Sequence, residues 1–376
     1  MIRTIIDIHA IQTVPPSNIN RDDTGSPKTA VYGGVRRARV SSQAWKRATR
    51  KDFETYLDRS DLGVRTKRVV ELVSEEIARR ANDLDAQQRD EISSAVLKAA
   101  ELKLSKPRKG ETEEAGYLVF LGRRQVESLA ALGVDAFRGA GLSTLTKKAV
   151  QSLVKDRNAI DVSLFGRMVA DVTDLNVDAA AQVAHAISVH AVETEFDFFT
   201  AVDDQKNADA EEDAGAGMIG TVEFNSSTLY RYATVDVDGL LRNLGDVEAT
   251  VRAVEAFVRS FVTSMPTGKQ NTFANRTLPD AVVVMVREDQ PVSLVGAFEE
   301  PITSSESSGR VESAVRALVA YADEVGKAYG TAPATAWTVG VGDRAASLDL
   351  LSPRTSFDQL VPAVGGLVRD RLGSEA

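Results

Sequence analysis

The chain of 376 residues contains no cysteine. Disulfides, thiol nucleophiles and cysteine-ligated zinc are therefore excluded, and the composition fits a reducing, cytoplasmic setting. Aromatic residues reach only 6%, and histidine occurs three times. On a helix, His185 and His190 would stand about 140° apart, so they do not converge on one metal. His9 alternates with apolar neighbours and reads as a strand residue facing solvent or a partner. No apolar run approaches membrane-spanning length, and the opening MIRTIIDIHAIQ places Asp7 and His9 within its apolar stretch, which does not suit a signal peptide. Catalytic signatures are missing too. Gly268-Lys269 and Gly326-Lys327 lack the upstream glycine of a Walker A loop, and neither HExxH nor GxSxG occurs. We expect a protein without cofactor, resident metal or enzymatic activity.

The chain has acid in excess, with a net charge of -9, and one segment that runs against it. Residues 33–51, GGVRRARVSSQAWKRATRK, carry Arg36, Arg37, Arg39, Lys46, Arg47, Arg50 and Lys51 with no acid among them. Ser41 or Ser42 is placed to cap a helix starting near Gln43, on which Gln43, Lys46, Arg47 and Arg50 share one face. Such a stripe is either a solvated helix face or a receptor for a phosphodiester backbone, and its concentration in an acidic protein favours the receptor. Arg21 and Lys28 bound a polar loop over 14–27 and could reach the same backbone, as could Lys269 in the loop 267–276.

The hydrophobic pattern predicts strands over 4–11, 161–168, 229–237 and 281–286. It predicts helices over 179–190, from Val247 to Phe261, and over 309–326. The stretch 60–160 reads differently: Val69, Val70, Val73 and Ile77 form one helical stripe, and Ile92, Val96, Ala99 and Ala100 another. Lys147, Lys148 and Lys155 form a weaker basic cluster, which the residues alone favour as a solvated face. We therefore expect an α+β fold: a ferredoxin-like, RRM-like palm sheet with a large helical insertion and a protruding β-hairpin thumb. The boundaries are 1–58 palm, 59–160 helical insertion, 161–195 palm, 196–222 hairpin and 223–376 the remaining palm. Gly215 to Gly220 matches GxGxxG, but an acidic loop precedes it and a strand-like segment follows, opposite to a dinucleotide site.

The stretches NRDD (Asn20 to Asp23), Tyr32-Gly33-Gly34, Arg36-Arg37, Arg39 to Gln43 and Lys46-Arg47 closely resemble the start of the Cascade backbone subunits of type I-E CRISPR systems, the CasC or Cas-seven family. Gly166-Arg167-Met168, Ala184 to His190, Phe199 to Asp204, Leu229 to Ala233 and Gly268-Lys269-Gln270 follow in the same order. The likeness covers 1–58 and 161–287 well and is weak over 60–160 and beyond 290. It implies copies arranged head-to-tail along one CRISPR guide RNA (crRNA), with other Cascade subunits and target DNA as further partners. Arg21, Lys28, Ser41, Gln43, Lys46, Arg50, Arg167, Met168 and Lys269 would bind RNA, although Met168 taken without the resemblance reads as core. Phe199, Met218 and Ile219 would wedge bases apart, and Lys147 and Lys148 would touch the target strand. The resemblance implies binding without cutting. A magnesium-dependent RNA endonuclease using Asp22 and Asp23, or Asp203 and Asp204, and a protein-only scaffold are the alternatives.

Overall fold

The computed structural model describes residues 3–108, 110, 112–156, 158–169, 172–201, 218–303 and 308–373, with only the backbone of Ala201, Met218 and Ile219. Asp203, Asp204, the acids 209–213 and the GxGxxG glycines before 218 lie outside the described residues. The chain divides into two compact units, one of Met1–Lys51, Val183–Thr234 and Val258–Pro362, the other of Asp52–Gln182, Val235–Phe257 and Ala363–Ala376. None of its described helices is long and apolar enough to cross a membrane.

The first unit is built on a large antiparallel sheet. Its strands are β1 (Ile5–Ser17), β2 (Thr29–Tyr32), β3 (Val35–Val40), β4 (Ala186–Ser188), β5 (Glu195–Ala201), β6 (Met218–Asp236), β7 (Ala281–Arg287) and β8 (Thr335–Gly340). They run β8-β7-β1-β6-β4-β3-β2, with β5 paired to β6 alone. β7, AVVVMVR, is buried at every residue, as a central β-branched strand should be. β2 and β3 close through Gly33 and Gly34 at φ of +58° and +75°, the two positive values a type I′ hairpin demands.

β1 departs from the sequence pattern. It runs on through Pro15 and Pro16 to Ser17, where a loop was expected, because the prolines sit near the strand's end and not in its central ladder. Both of its faces are buried, so Asp7 and His9 are interior residues and His9 faces neither solvent nor partner. Asp7 accepts hydrogen bonds from the Tyr232 hydroxyl (2.8 Å), Arg287 Nε (2.8 Å) and Val292 N (2.9 Å). His9 Nδ1 lies 2.9 Å from the Tyr230 hydroxyl, and its ring stacks on Tyr232. Burial lowers the His9 pKa to about 3, so the ring is neutral at pH 7.

In the second unit the helices Val69–Arg80, Ala86–Ala99, Arg123–Arg138 and Lys147–Lys155 pack around a core that includes Val73, Ile77, Ile92, Val96, Leu129 and Val150. Asp85 and Gln88 form a reciprocal capping box at the second of them. Two readings fail. Residues 161–168 do not form a strand: Ile160–Phe165 is a short helix ending at Gly166, and Asp161 is buried with Oδ1 accepting from Gly63 N at 2.8 Å. The helix expected over 179–190 is instead the strands Ala181–Val183 and Ala186–Ser188, whose alanine-rich run is pulled into sheet pairing.

Candidate nucleic-acid interface

The basic segment folds as the sequence predicts at its core. Helix α1 (Ser42–Asp52) starts at Ser41, whose Oγ accepts from Ala44 N (3.3 Å) while its own N–H donates to Asn20 Oδ1 (2.8 Å). Asn20 O also accepts from Lys28 N, and Lys28 O from Arg39 N, so the loop and the start of the helix form one hydrogen-bonded assembly. Ser41 is thus buried and occupied as a cap. Its Oγ thus helps to hold the start of the helix.

Beneath α1, Trp45 is buried, and the Arg231 guanidinium carbon lies 3.7 Å from the centre of its ring. Arg231 also sits against Phe261, donates to Gln12 Oε1 at 2.6 Å, and donates to the Phe261 carbonyl. Burial lowers its pKa to about 9, which still leaves it charged at pH 7. A fully buried cation held this way fixes the helix to the sheet through a desolvated cation–π contact.

The opposite sector of α1 borders a cleft of about 730 Å³ between the loop 19–25 and the segment 265–269. Ala44, Arg47, Ala48 and Lys51 form the wall, with Arg21 and Lys269 across from them and Asp22 and Asp23 on the rim. The two alanines keep the wall low while the two cations reach over it. Gly268 makes the close approach possible, because a Cβ there would lie 2.4 Å from the Ile19 carbonyl oxygen. Lys269 begins the short turn Gln270–Phe273 in the left-handed conformation. Asp22 is committed to its own loop: Oδ1 accepts from Thr24 Oγ1, Thr24 N and Ser26 N, which holds the carboxyl below its usual range, the Thr24 hydroxyl contributing most.

Gln43 is exposed and Lys46 and Arg50 are half-buried, and none of the three lines the cleft; burial lowers the Lys46 pKa. Arg47, which the sequence reading put on the basic stripe but not among the RNA-binding residues, and Lys51, which it did not place there, line the cleft directly. The signal was present in the spacing Ala44-Arg47-Ala48-Lys51, a small-and-basic stripe at helical period. Arg21 is exposed on the cleft, and Lys28 is half-buried with its backbone tied to Asn20 and Arg39.

Other basic residues serve the fold. Arg37 is buried, donating to the carbonyls of Tyr32, Ser188, Phe298 and Glu299. Arg39 donates to Thr29 O and lies 3.2 Å from His185 Nδ1. Arg167, expected to hold a phosphate, is buried in the second unit. Its guanidinium donates to the carbonyls of Leu175 (2.6 Å), Phe120 (3.3 Å) and Val154 (3.1 Å), so its charge is turned inward and that assignment is withdrawn. Its neighbour Met168 is the reverse, 81% exposed. Lys147 is paired with Glu101 at 2.7 Å, which offsets its charge, and Lys148 is exposed. His190 accepts from Thr228 N at Nε2, and burial lowers its pKa to about 4.

β5 and β6 pair antiparallel from Glu195 with Phe224 to Ala201 with Met218. Phe199 faces Gly220 across this pair, and its ring fills the place a Cβ would take, 2.3 Å from the nearest ring carbon. The side chains of Met218 and Ile219, expected beside it, lie outside the described residues.

No curated protein matches this chain. Among solved structures, it resembles a chain of a "CRISPR RNA-guided surveillance complex, pre-nicking" with TM-score 0.85 and 37% identity, covering 97% of this chain and all of that one. A chain of a second "CRISPR RNA-guided surveillance complex" follows it with TM-score 0.75 and 32% identity, over 96% of this chain and 99% of the other. Matching the family model over residues 6–363, the chain belongs to the CT1975-like protein family.

Proposed function

We propose that this chain is the guide-RNA-binding backbone subunit of a Cascade-type CRISPR surveillance complex, repeating along one RNA and displaying its bases for pairing with target DNA. The observation that carries this reading is the cation-lined cleft of α1, in a protein that is acidic elsewhere and similar along its length to chains of such complexes. Arg21, Arg47, Lys51 and Lys269 grip phosphates from the two walls, with Gln43, Lys46 and Arg50 elsewhere on α1. Contacts of this kind fix position without reading sequence, and target choice falls to base pairing.

The subtype we propose is I-E, on the run from Asn20 to Arg47. The sheet of the first unit is then the RRM-like palm, and the β5–β6 hairpin the thumb, with Phe199 as the wedge that separates bases. The exposed Met168 lies against the RNA, and Lys148 against the target strand. On this reading the protein binds and does not cut, which the three donors of its own loop on Asp22 Oδ1 support by giving that carboxylate a part in holding the loop.

The test is purification with and without a repeat-spacer transcript, followed by nuclease protection. Protection in regular steps, with mass rising by whole subunits, is the expected result, and Lys46→Glu with Arg47→Glu abolishes it while the fold is retained. A single short footprint, or RNA lost only on adding magnesium, would overturn the reading.

A further inference from the structure

We propose that a groove between the helix Arg310–Tyr329 and the helical turn Asp343–Leu350 binds a small molecule made of an apolar body and one carboxylate. The groove has a volume of about 610 Å³ and is lined by Met285, Val319, Ala322, Pro333 and Leu351, with Leu350, 82% exposed, at its edge. It shares no lining residue with the cleft of α1, and nothing in the guide-RNA reading requires it. An apolar concavity of this size, with a few placed polar groups, suits a small ligand.

Two polar groups at this groove are short of acceptors. Arg287 lines it beside Met285, although its side chain is only 3% exposed. Its Nε donates to Asp7 Oδ2 at 2.8 Å and its Nη1 to the Thr331 carbonyl, but the acceptor before Nη2 is the Met285 thioether, at 3.6 Å. A thioether sulfur accepts weakly. The hydroxyl of Thr331, one residue before Ala332 on the groove wall, is buried with no hydrogen-bond partner among the described residues. A buried donor without an acceptor is costly, and an oxygen brought in by a ligand removes that cost.

The two donors identify the head group. One guanidinium nitrogen and one hydroxyl, on residues joined by the Arg287–Thr331 hydrogen bond, match the two oxygens of a carboxylate and leave the third oxygen of a phosphate unserved. Arg287 is already balanced by Asp7, so the added negative charge is met by Arg316 and Lys327, which also line the groove. Their pairs with Glu312 and Asp323 are exposed and exchange partners at little cost. Ala322 and Gly326, one helical turn apart, keep the helix side of the groove low. That leaves room for an unbranched chain or a single ring against the aliphatic walls.

The probe is octanoate, titrated into the full chain at pH 7 by isothermal calorimetry. Saturable binding at a single site is expected, with octan-1-ol and octylammonium about tenfold weaker because neither brings an anion to Arg287. Ala322→Trp fills the groove from a half-buried position and abolishes binding. Thr331→Val removes a hydroxyl that has no partner, so the urea midpoint of the free protein holds or rises while octanoate binds about fivefold more weakly. Octan-1-ol bound as tightly as octanoate would overturn the carboxylate assignment, and octanoate affinity unchanged by both substitutions would overturn the site. No saturation up to about 1 mM octanoate would overturn it as well.

Discussion

Replacing Arg167 with alanine separates a structural arginine from a phosphate-binding one. In the folded chain its guanidinium serves the carbonyls of Leu175, Phe120 and Val154 and approaches Gln125 Oε1 at 3.4 Å. Burial lowers its pKa only to about 10, so it is charged at pH 7 and these are charge-assisted bonds. Each such bond contributes about 1.5–3 kcal/mol, but water enters part of the vacated space and satisfies some of the acceptors. The net loss is about 3–5 kcal/mol, the range for breaking a buried charged partner. In thermal unfolding this corresponds to a fall of roughly 10 °C for a unit of this size. Urea titration gives the equilibrium value, and fluorescence anisotropy with a labelled guide RNA, on the folded fraction, gives affinity. The expected pair of results is a large drop in stability with affinity within a factor of two of the parent. Stability within 1 kcal/mol of the parent, with RNA binding lost, would refute the reasoning and return Arg167 to the phosphate contacts.

Three further outcomes follow from the same geometry. Arg47→Gln and Lys51→Gln, made separately, each lower the slope of log affinity against log salt by about 0.7, whereas replacing a cation away from α1 and the cleft, such as Arg344, leaves it unchanged; anisotropy from 50 to 300 mM salt checks this. Gly268→Ala puts a Cβ 2.4 Å from Ile19 O, so it costs about 2–3 kcal/mol in urea or displaces the loop carrying Arg21 and weakens RNA binding in parallel. Stability falls as pH drops from 6.5 toward 4, because the unfolded chain takes up protons at His9 and His190 through their ordinary 6.5 while the folded chain, with values of about 3 and 4, does not. The slope is at most about 2.7 kcal/mol per pH unit, reduced by Asp7, whose raised pKa acts in the opposite sense. Urea midpoints at pH 7, 6 and 5 measure it, and His190→Gln removes about one proton from the uptake.

What the sequence disclosed was local. α1 was legible because its cap, its buried Trp45 and its cations all lie within eleven residues, and β7 because a run of valines permits little else. What it concealed was set by contacts far along the chain. Asp7 and His9 alternate with isoleucines like a half-exposed strand, yet Tyr230, Tyr232 and Arg287, more than 200 positions away, make that face an interior one. Residues 161–168 alternate as well, but Asp161 turns inward to Gly63, nearly a hundred residues earlier, and the segment winds into a helix. The covering of Gly220 by Phe199 across the β5–β6 pair explains why that position needs no side chain of its own.

The arginines show most clearly why a basic motif underdetermines a binding site. Arg36 and Arg37 are adjacent, but the alternation of a strand sends one into solvent and the other beneath the sheet's edge. Arg37, Arg167 and Arg231 are held by backbone carbonyls and amide oxygens, so they use up no acid and leave the negative charge of the protein to face solvent. Only a planar group with five donors satisfies three or four carbonyls at once. Lysine at any of the three would reach one or two of them and leave the rest buried without a donor. Arginine is therefore required at these places for its shape, while the cleft requires only charge, and Lys51 and Lys269 stand there beside Arg21 and Arg47. An Arg→Lys exchange thus sorts the two classes: nearly neutral at Arg47, and destabilising by an amount comparable to the alanine variant at Arg37 and Arg231.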